Sequence, residues 1–230
     1  FGTWSVTATL TDPAGNVSMP SPSTSVLIGT APSSPDLLDG SDTGASKTDN
    51  ITSDNTPSFS TSGGAVGDVA TITATNGSIT ETCTYTIGSA TSCTMPTMSP
   101  GVWQVTSSLS KPDGTKSETS SPTAITIDRS APRTPPAPDL LASSDTGASE
   151  SDNITSDTTP TFSGLVGATG ETVTISASNG SAIKSCSYTL PATSCMLPEL
   201  VEGSWSITST VSDLAGNRSA TSPPTSITVA

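Results

Sequence analysis

The sequence predicts an all-β chain of tandem β-sandwiches, on three observations. A block recurs at an offset of 103 residues, hydrophobic residues alternate with Ser and Thr at a period of two, and 85 of the 230 residues are Ser or Thr. Ser and Thr suit half-exposed strands and turns and are poor helix formers, so long helices are not expected. Hydrophobic residues make up 31% and aromatic residues 3%, so each sandwich buries a thin core around a few large side chains.

The repeat sets the domain boundaries. The segment PDLLDGSDTGASKTDNITSDNTPSF returns as PDLLASSDTGASESDNITSDTTPTF, with Phe59 mapping to Phe162 and Cys83 to Cys186 at an offset of 103. The offset falls to 102 for Cys93 with Cys195 and Trp103 with Trp205. One residue has been gained or lost between the cysteines of a pair, which predicts a turn at IGSAT and LPAT, because loops absorb such changes and paired strands do not. Trp4, Gly15 and Ile28 precede Trp103, Gly114 and Ile127 by 99 residues each, so the chain opens with the tail of a further copy. The expected organisation is residues 1–33 as the C-terminal part of a repeat, 34–130 as one repeat and 131–230 as another. Short, Pro-rich, acidic linkers, extended and semi-rigid, join them.

Within each copy the strands announce themselves by alternation. Trp4, Val6, Ala8 and Leu10 share a face, as do Trp205, Ile207, Ser209 and Val211. Ala70, Ile72 and Ala74 alternate with threonines, and Val173, Ile175 and Ala177 do the same. Cys83, Tyr85 and Ile87 form a third run, repeated by Cys186, Tyr188 and Leu190. Turn signals at Asn76-Gly77, Pro112-Asp113-Gly114, Asn179-Gly180 and Ala215-Gly216-Asn217 separate the runs. Six or seven strands in about 100 residues is the size of an immunoglobulin-like sandwich. Phe, Tyr and Trp, one each per full copy, are its expected core anchors.

The charges narrow the function. Seven Lys and Arg stand against twenty Asp and Glu, a net charge of -13, which disfavours nucleic acid and anionic membranes as partners. No apolar run approaches a membrane span. Histidine is absent, removing the commonest general base, and we expect no enzyme. Cys83 with Cys93 and Cys186 with Cys195 are the simplest of three possible pairings, and such bridges point to an oxidising, extracellular setting.

Ten of the twenty acidic residues fall in residues 36–54 and 139–157. Carboxylates crowded together repel unless a cation lies among them, and Ca²⁺ takes six to eight oxygens from Asp, Asn and backbone carbonyls. Capping of turns is the competing explanation, since Asp and Asn do this commonly. The six Asn-x-Ser/Thr sequons carry little weight in so Ser/Thr-rich a chain.

SDTGAS, then DNITSD, TP and Phe, and a closing GTWSVTATLTDPAGN or GSWSITSTVSDLAGN, together resemble the bacterial Ig-like repeats of giant surface adhesins, including RTX-type secreted adhesins. The resemblance spans essentially the whole chain. It implies Ca²⁺ where successive repeats meet, an extracellular location on a bacterial cell surface, and neighbouring repeats as partners. Carried over residue by residue, the ligands are Asp42 and Asp49 in one window and Asp145 and Asp152 in the other. Asp36, Asn50, Asp54, Asp139, Asn153 and Asp157 come next. Asp213 is expected to approach the second window, the equivalent position in the middle repeat being Lys111. The function implied is a non-catalytic extender segment. Alternatives are a ligand-binding module that recognises a carbohydrate or host surface through its Thr-rich face or loops, or a strand-exchanged fibre subunit built on the leading fragment.

Overall fold

The computed structural model describes residues 2–164 and 167–230, and among these every regular element is a β-strand. In chain order they are β1 (Gly2–Val6), β2 (Thr24–Ile28), β3 (Asp36–Leu37), β4 (Ile51–Thr52), β5 (Ser58–Ser60), β6 (Val69–Asn76), β7 (Ile79–Thr86), β8 (Cys93–Thr94), β9 (Gly101–Ser110) and β10 (Thr123–Ile127). The second copy supplies β11 (Asp139–Leu140), β12 (Ile154–Thr155), β13 (Thr161–Ser163), β14 (Thr172–Ser178), β15 (Ile183–Thr189), β16 (Ser194–Met196), β17 (Gly203–Ser212) and β18 (Thr225–Val229). By contact the chain forms two compact units, Phe1–Ser41 with Asn55–Ile127, and Asp42–Asp54 with Asp128–Ala230.

In the first unit β10, β9, β6 and β7 lie side by side, and β3, β5 and β8 form the facing sheet. In the second the order is β12-β18-β17-β14-β15 against β11-β13-β16. Period-two alternation is realised: Trp205, Ile207, Ser209 and Val211 of β17 turn inward and are buried, as are Val173, Ile175 and Ala177 of β14. Phe162, Tyr188 and Trp205 anchor this core, and Phe59, Tyr85 and Trp103 anchor the first. Each buried polar tip finds a partner, as burial requires. The Trp103 indole donates to the Ser99 carbonyl at 2.9 Å and the Trp205 indole to Val201 at 2.9 Å. The Tyr85 hydroxyl donates to the Thr61 carbonyl and accepts from the Thr61 amide, both at 3.0 Å.

The expected turns at IGSAT and LPAT separate β7 from β8 and β15 from β16. The Cys83–Cys93 and Cys186–Cys195 disulfides form across them. Since β7 and β8 belong to different sheets, as do β15 and β16, each bridge ties the two layers together along one open side of its sandwich.

The leading fragment departs from its alternation. Residues 2–6 pair with 24–28, but the strand ends at Val6, whereas the equivalent β9 continues to Ser110. The far half of β9 is held by pairing with β6, from Gln104 against Thr75 to Ser110 against Val69, and residues 1–29 contain no equivalent of β6. Trp4 is accordingly 63% exposed where Trp103 is fully buried, and Leu10 80%. What persists is local: the Ala8 and Leu10 amides donate to the Ser21 and Ser18 hydroxyls at 3.0 and 2.9 Å. The same ladder recurs in the complete copies, where Ser120 and Ser117 accept from Ser107 and Leu109, and Ser222 and Ser219 from Ser209 and Val211, all at 2.9 Å. The backbone amides of these serines donate in return to the same residues' carbonyls, Ser18 to Leu10 and Ser21 to Ala8 at 2.8 Å, so serine spaced by three pairs through both main chain and side chain.

Candidate metal centre

Two loops have the composition of a hard-cation site, 42–54 and 145–157, and both precede a short strand through the same backbone kink. Asn50 and Asn153 take φ of 58° and 62°, the left-handed region that Asn tolerates better than other side chains. That kink turns the Asn50 amide toward Asp42 Oδ2, at 3.3 Å, and the Asn153 amide toward Asp145 Oδ2, at 3.1 Å. Asp49 and Asp152 each cap the amide two residues on, accepting from Ile51 at 3.1 Å and Ile154 at 3.0 Å. Threonine hydroxyls close the loops: Thr43 Oγ1 accepts from the Ser53 amide and Thr146 Oγ1 from the Ser156 amide, both at 2.8 Å.

This scaffold buries one carboxylate per loop. Asp42 is fully buried and Asp145 is 3% exposed, and in each the second oxygen, Oδ1, has no hydrogen-bond partner. Burial, with the Asp49 carboxylate adding to it, pushes the Asp42 carboxyl above its ordinary value; the Asn50 amide and the Lys47 ammonium pull the other way. A buried, unmatched carboxylate oxygen is costly, and a cation would relieve the cost. Among the described residues no three His, Cys, Asp or Glu side chains gather tightly enough to hold a metal by themselves. The cysteines are all oxidised, so a fitting ion is one that accepts two carboxylates and completes its shell with carbonyl, amide and water oxygens.

The remaining expected ligands are employed otherwise. Asp157 accepts from Ser144 Oγ and the Thr159 amide, each at 2.8 Å, and serves its own turn. Asp36 and Asp139 are exposed on β3 and β11, opposite Ser60 and Ser163. Asp54 has its own interactions and is only partly exposed.

Asp213 does not reach the second window. Its oxygens accept from the Asn217 amide at 2.8 Å and the Asn217 side chain at 2.9 Å, locking its own loop. The reason is the sheet: Asn153 and Ile154 lie beside Thr228, opposite the Gly203 end of β17, whereas Asp213 follows Ser212 at the other end of that ten-residue strand. At about 3.3 Å per residue those ends are roughly 30 Å apart. The 213–217 loop packs on the first acidic segment instead. Thr43 Oγ1 donates to the Ala215 carbonyl, and Asn217 Nδ2 to the Asp128 carbonyl at 2.9 Å. Gly44 is required here, because a Cβ at that position would fall 1.7 Å from the Leu214 carbonyl oxygen. Sequence reasoning missed this role of Thr43 and Gly44, although their duplication as Thr146 and Gly147 was the available signal.

The bacterial Ig-like domain model matches residues 28–129 and 132–229. No curated protein matches the chain by sequence. Among solved structures, the FN1–FN3 domains of chicken CNTN1 superpose with a TM-score of 0.56 at 15% identity, over 99% of this chain and 75% of that one. A Ca²⁺-stabilized adhesin with which an Antarctic bacterium reaches out and binds ice is similar at 16% identity and a TM-score of 0.40, over 99% of this chain and 56% of that one. The BSP domain of a biofilm associated protein is similar at 23% identity and a TM-score of 0.27, over 78% and 28%. With both full copies matched, on top of paired-sheet sandwiches built around repeated Phe, Tyr and Trp anchors, the chain belongs to the bacterial Ig-like domain family.

Proposed function

We propose that the chain is a non-catalytic extender segment of a large secreted or surface-anchored bacterial adhesin, stiffened by Ca²⁺ at the junctions between its repeats. The observation that carries this reading is the buried carboxylate with an unmatched oxygen at the same place in both copies, Asp42 and Asp145. A repeated defect of this kind is costly unless occupied, and Asp42 with Asp49, and Asp145 with Asp152, supply the carboxylates for a hard divalent cation. Two disulfides support an extracellular site of action. Each sandwich adds about 40 Å of reach, from strand rise and end loops, and cation binding at the joins would restrict the bending of successive links. Small-angle scattering of a tandem array of the second repeat, whose every loop carries the Asp145–Asp152 pair, tests it: the maximum dimension is expected to grow and its distribution to narrow in millimolar Ca²⁺ relative to chelator. Equal dimensions in both would refute the stiffening.

A second reading is favoured by one feature, the outward face of the β7-β6-β9 sheet. There Thr71 is flanked by Thr84 and Ser108, and Thr73 by Thr82 and Thr106, giving a face of hydroxyls without charge. Such a face could bind carbohydrate, and signal from the isolated chain on a glycan array would promote it over the extender.

A further inference from the structure

Position 47 separates two loops that are otherwise near-copies. Residues 42–54 hold three carboxylates and one ammonium, Lys47; residues 145–157 hold four carboxylates and no ammonium, with Glu150 in the equivalent place. Although exposed, Lys47 folds back onto its own loop. Its Nζ donates to the Asp42 carbonyl and, at 3.2 Å, to the Gly44 carbonyl, two backbone oxygens at the head of the loop and beside the buried Asp42 carboxylate. An ammonium and a hard divalent ion compete for the same oxygens, and the ammonium here already occupies two carbonyl oxygens of its own loop.

We infer that Lys47 is a built-in stand-in for the cation, so that the two loops are unequal: the Asp145–Asp152 loop is the divalent-cation site, and the Asp42–Asp49 loop is held in its shape by its own lysine. This rests on the Ca²⁺ reading above and specifies which loop the ion selects. The consequence is an array whose junctions differ in calcium dependence according to the residue at this one position. A Lys makes a loop that keeps its shape at any calcium level, and a Glu makes one that responds to the ion.

The test is calorimetric titration of the full chain with Ca²⁺ alone, in the wild type and in Lys47→Glu and Glu150→Lys. Both positions are exposed, so neither change threatens the fold. Reversing a unit charge beside a doubly charged ion changes affinity by about ten- to hundredfold at an exposed site. The wild type is expected to bind one ion tightly, Lys47→Glu to gain a second site of similar affinity, and Glu150→Lys to weaken the first by at least about tenfold. Two equivalent ions in the wild type, with a stoichiometry unchanged by Lys47→Glu, would overturn the inference while leaving calcium binding intact. No binding heat in any of the three proteins would overturn the calcium reading itself.

Discussion

Replacing Asp145 by Asn should change the sign of its effect when calcium is added. The substitution keeps the shape of the side chain and an oxygen to accept the Asn153 amide, but removes a charge buried to 3% exposure with one oxygen unmatched. A buried polar group left without a partner costs about 1–3 kcal/mol, and more when ionised. In chelator the variant is therefore expected to be more stable than the wild type by about 1–2 kcal/mol. For a repeat of roughly 100 residues each kcal/mol moves the melting temperature by about 4–8 °C. With Ca²⁺ at a hundred times its Kd, the wild type gains about 2.7 kcal/mol by mass action, and the variant, lacking a ligand charge, gains far less. The order of the two melting temperatures should invert. Differential scanning calorimetry in chelator and in calcium measures both, with hydrogen exchange in β17 identifying the transition of the second unit. A variant less stable than the wild type in chelator would show that the carboxylate is satisfied without an ion, and the reasoning from its unmatched oxygen would fail. An equal calcium increment in both proteins would remove Asp145 from the ligand set.

Other expectations follow from the same structure. The Tyr188 hydroxyl donates to the Gly164 carbonyl and accepts from its amide, both at 3.0 Å, and burial holds its phenol above the ordinary value of 10.0. The folded chain thus keeps this proton to higher pH than the unfolded chain. The contribution is complete below about pH 10 and is lost as pH rises through the folded value, so Tyr188→Phe should lower neutral stability by about 1 kcal/mol and flatten the alkaline limb of a denaturation series. Because Asn153 takes φ of 62°, Asn153→Ala should cost about 1 kcal/mol or more in urea unfolding while Asn153→Gly costs less; equal losses would place the cost in the side chain instead. Removing the Cys186–Cys195 bridge as a double Ser variant should destabilise the second unit by about 2–3 kcal/mol, from the short loop it closes, as read by urea midpoints against the oxidised wild type.

What the sequence made legible were features set by near neighbours. Val173, Ile175 and Ala177 declare a half-buried strand because one sheet face must be apolar, and Asn179-Gly180 declares a turn because Gly180 takes a φ of 88°. The two kinked Asn residues and their aspartates were visible as a duplicated string. Features that depend on distant pairing were not. The end of β1 at Val6 reflects the missing equivalent of β6, which alternation within residues 2–10 cannot report. The Asp213 loop meets the first window rather than the second because the end of a strand at which a loop emerges depends on the length and direction of β17 and β18. Lys47 was hidden as a simple Lys-for-Glu difference, since its significance lies in the carbonyls it reaches.

The parallel pairing of β12 with β18 has a mechanical consequence. Ile154 lies beside Thr228 and Thr155 beside Val229, with the Thr228 and Ala230 amides donating to the Asn153 and Thr155 carbonyls at 2.9 Å each. Because the two strands run the same way, tension that draws β12 backward and β18 forward loads these bonds side by side, and they must yield together rather than in succession. The Asp145–Asn153 loop is attached to one jaw of this grip, so an ion holding the loop would raise the rupture force. Single-molecule stretching of the second unit in calcium and in chelator measures that difference directly.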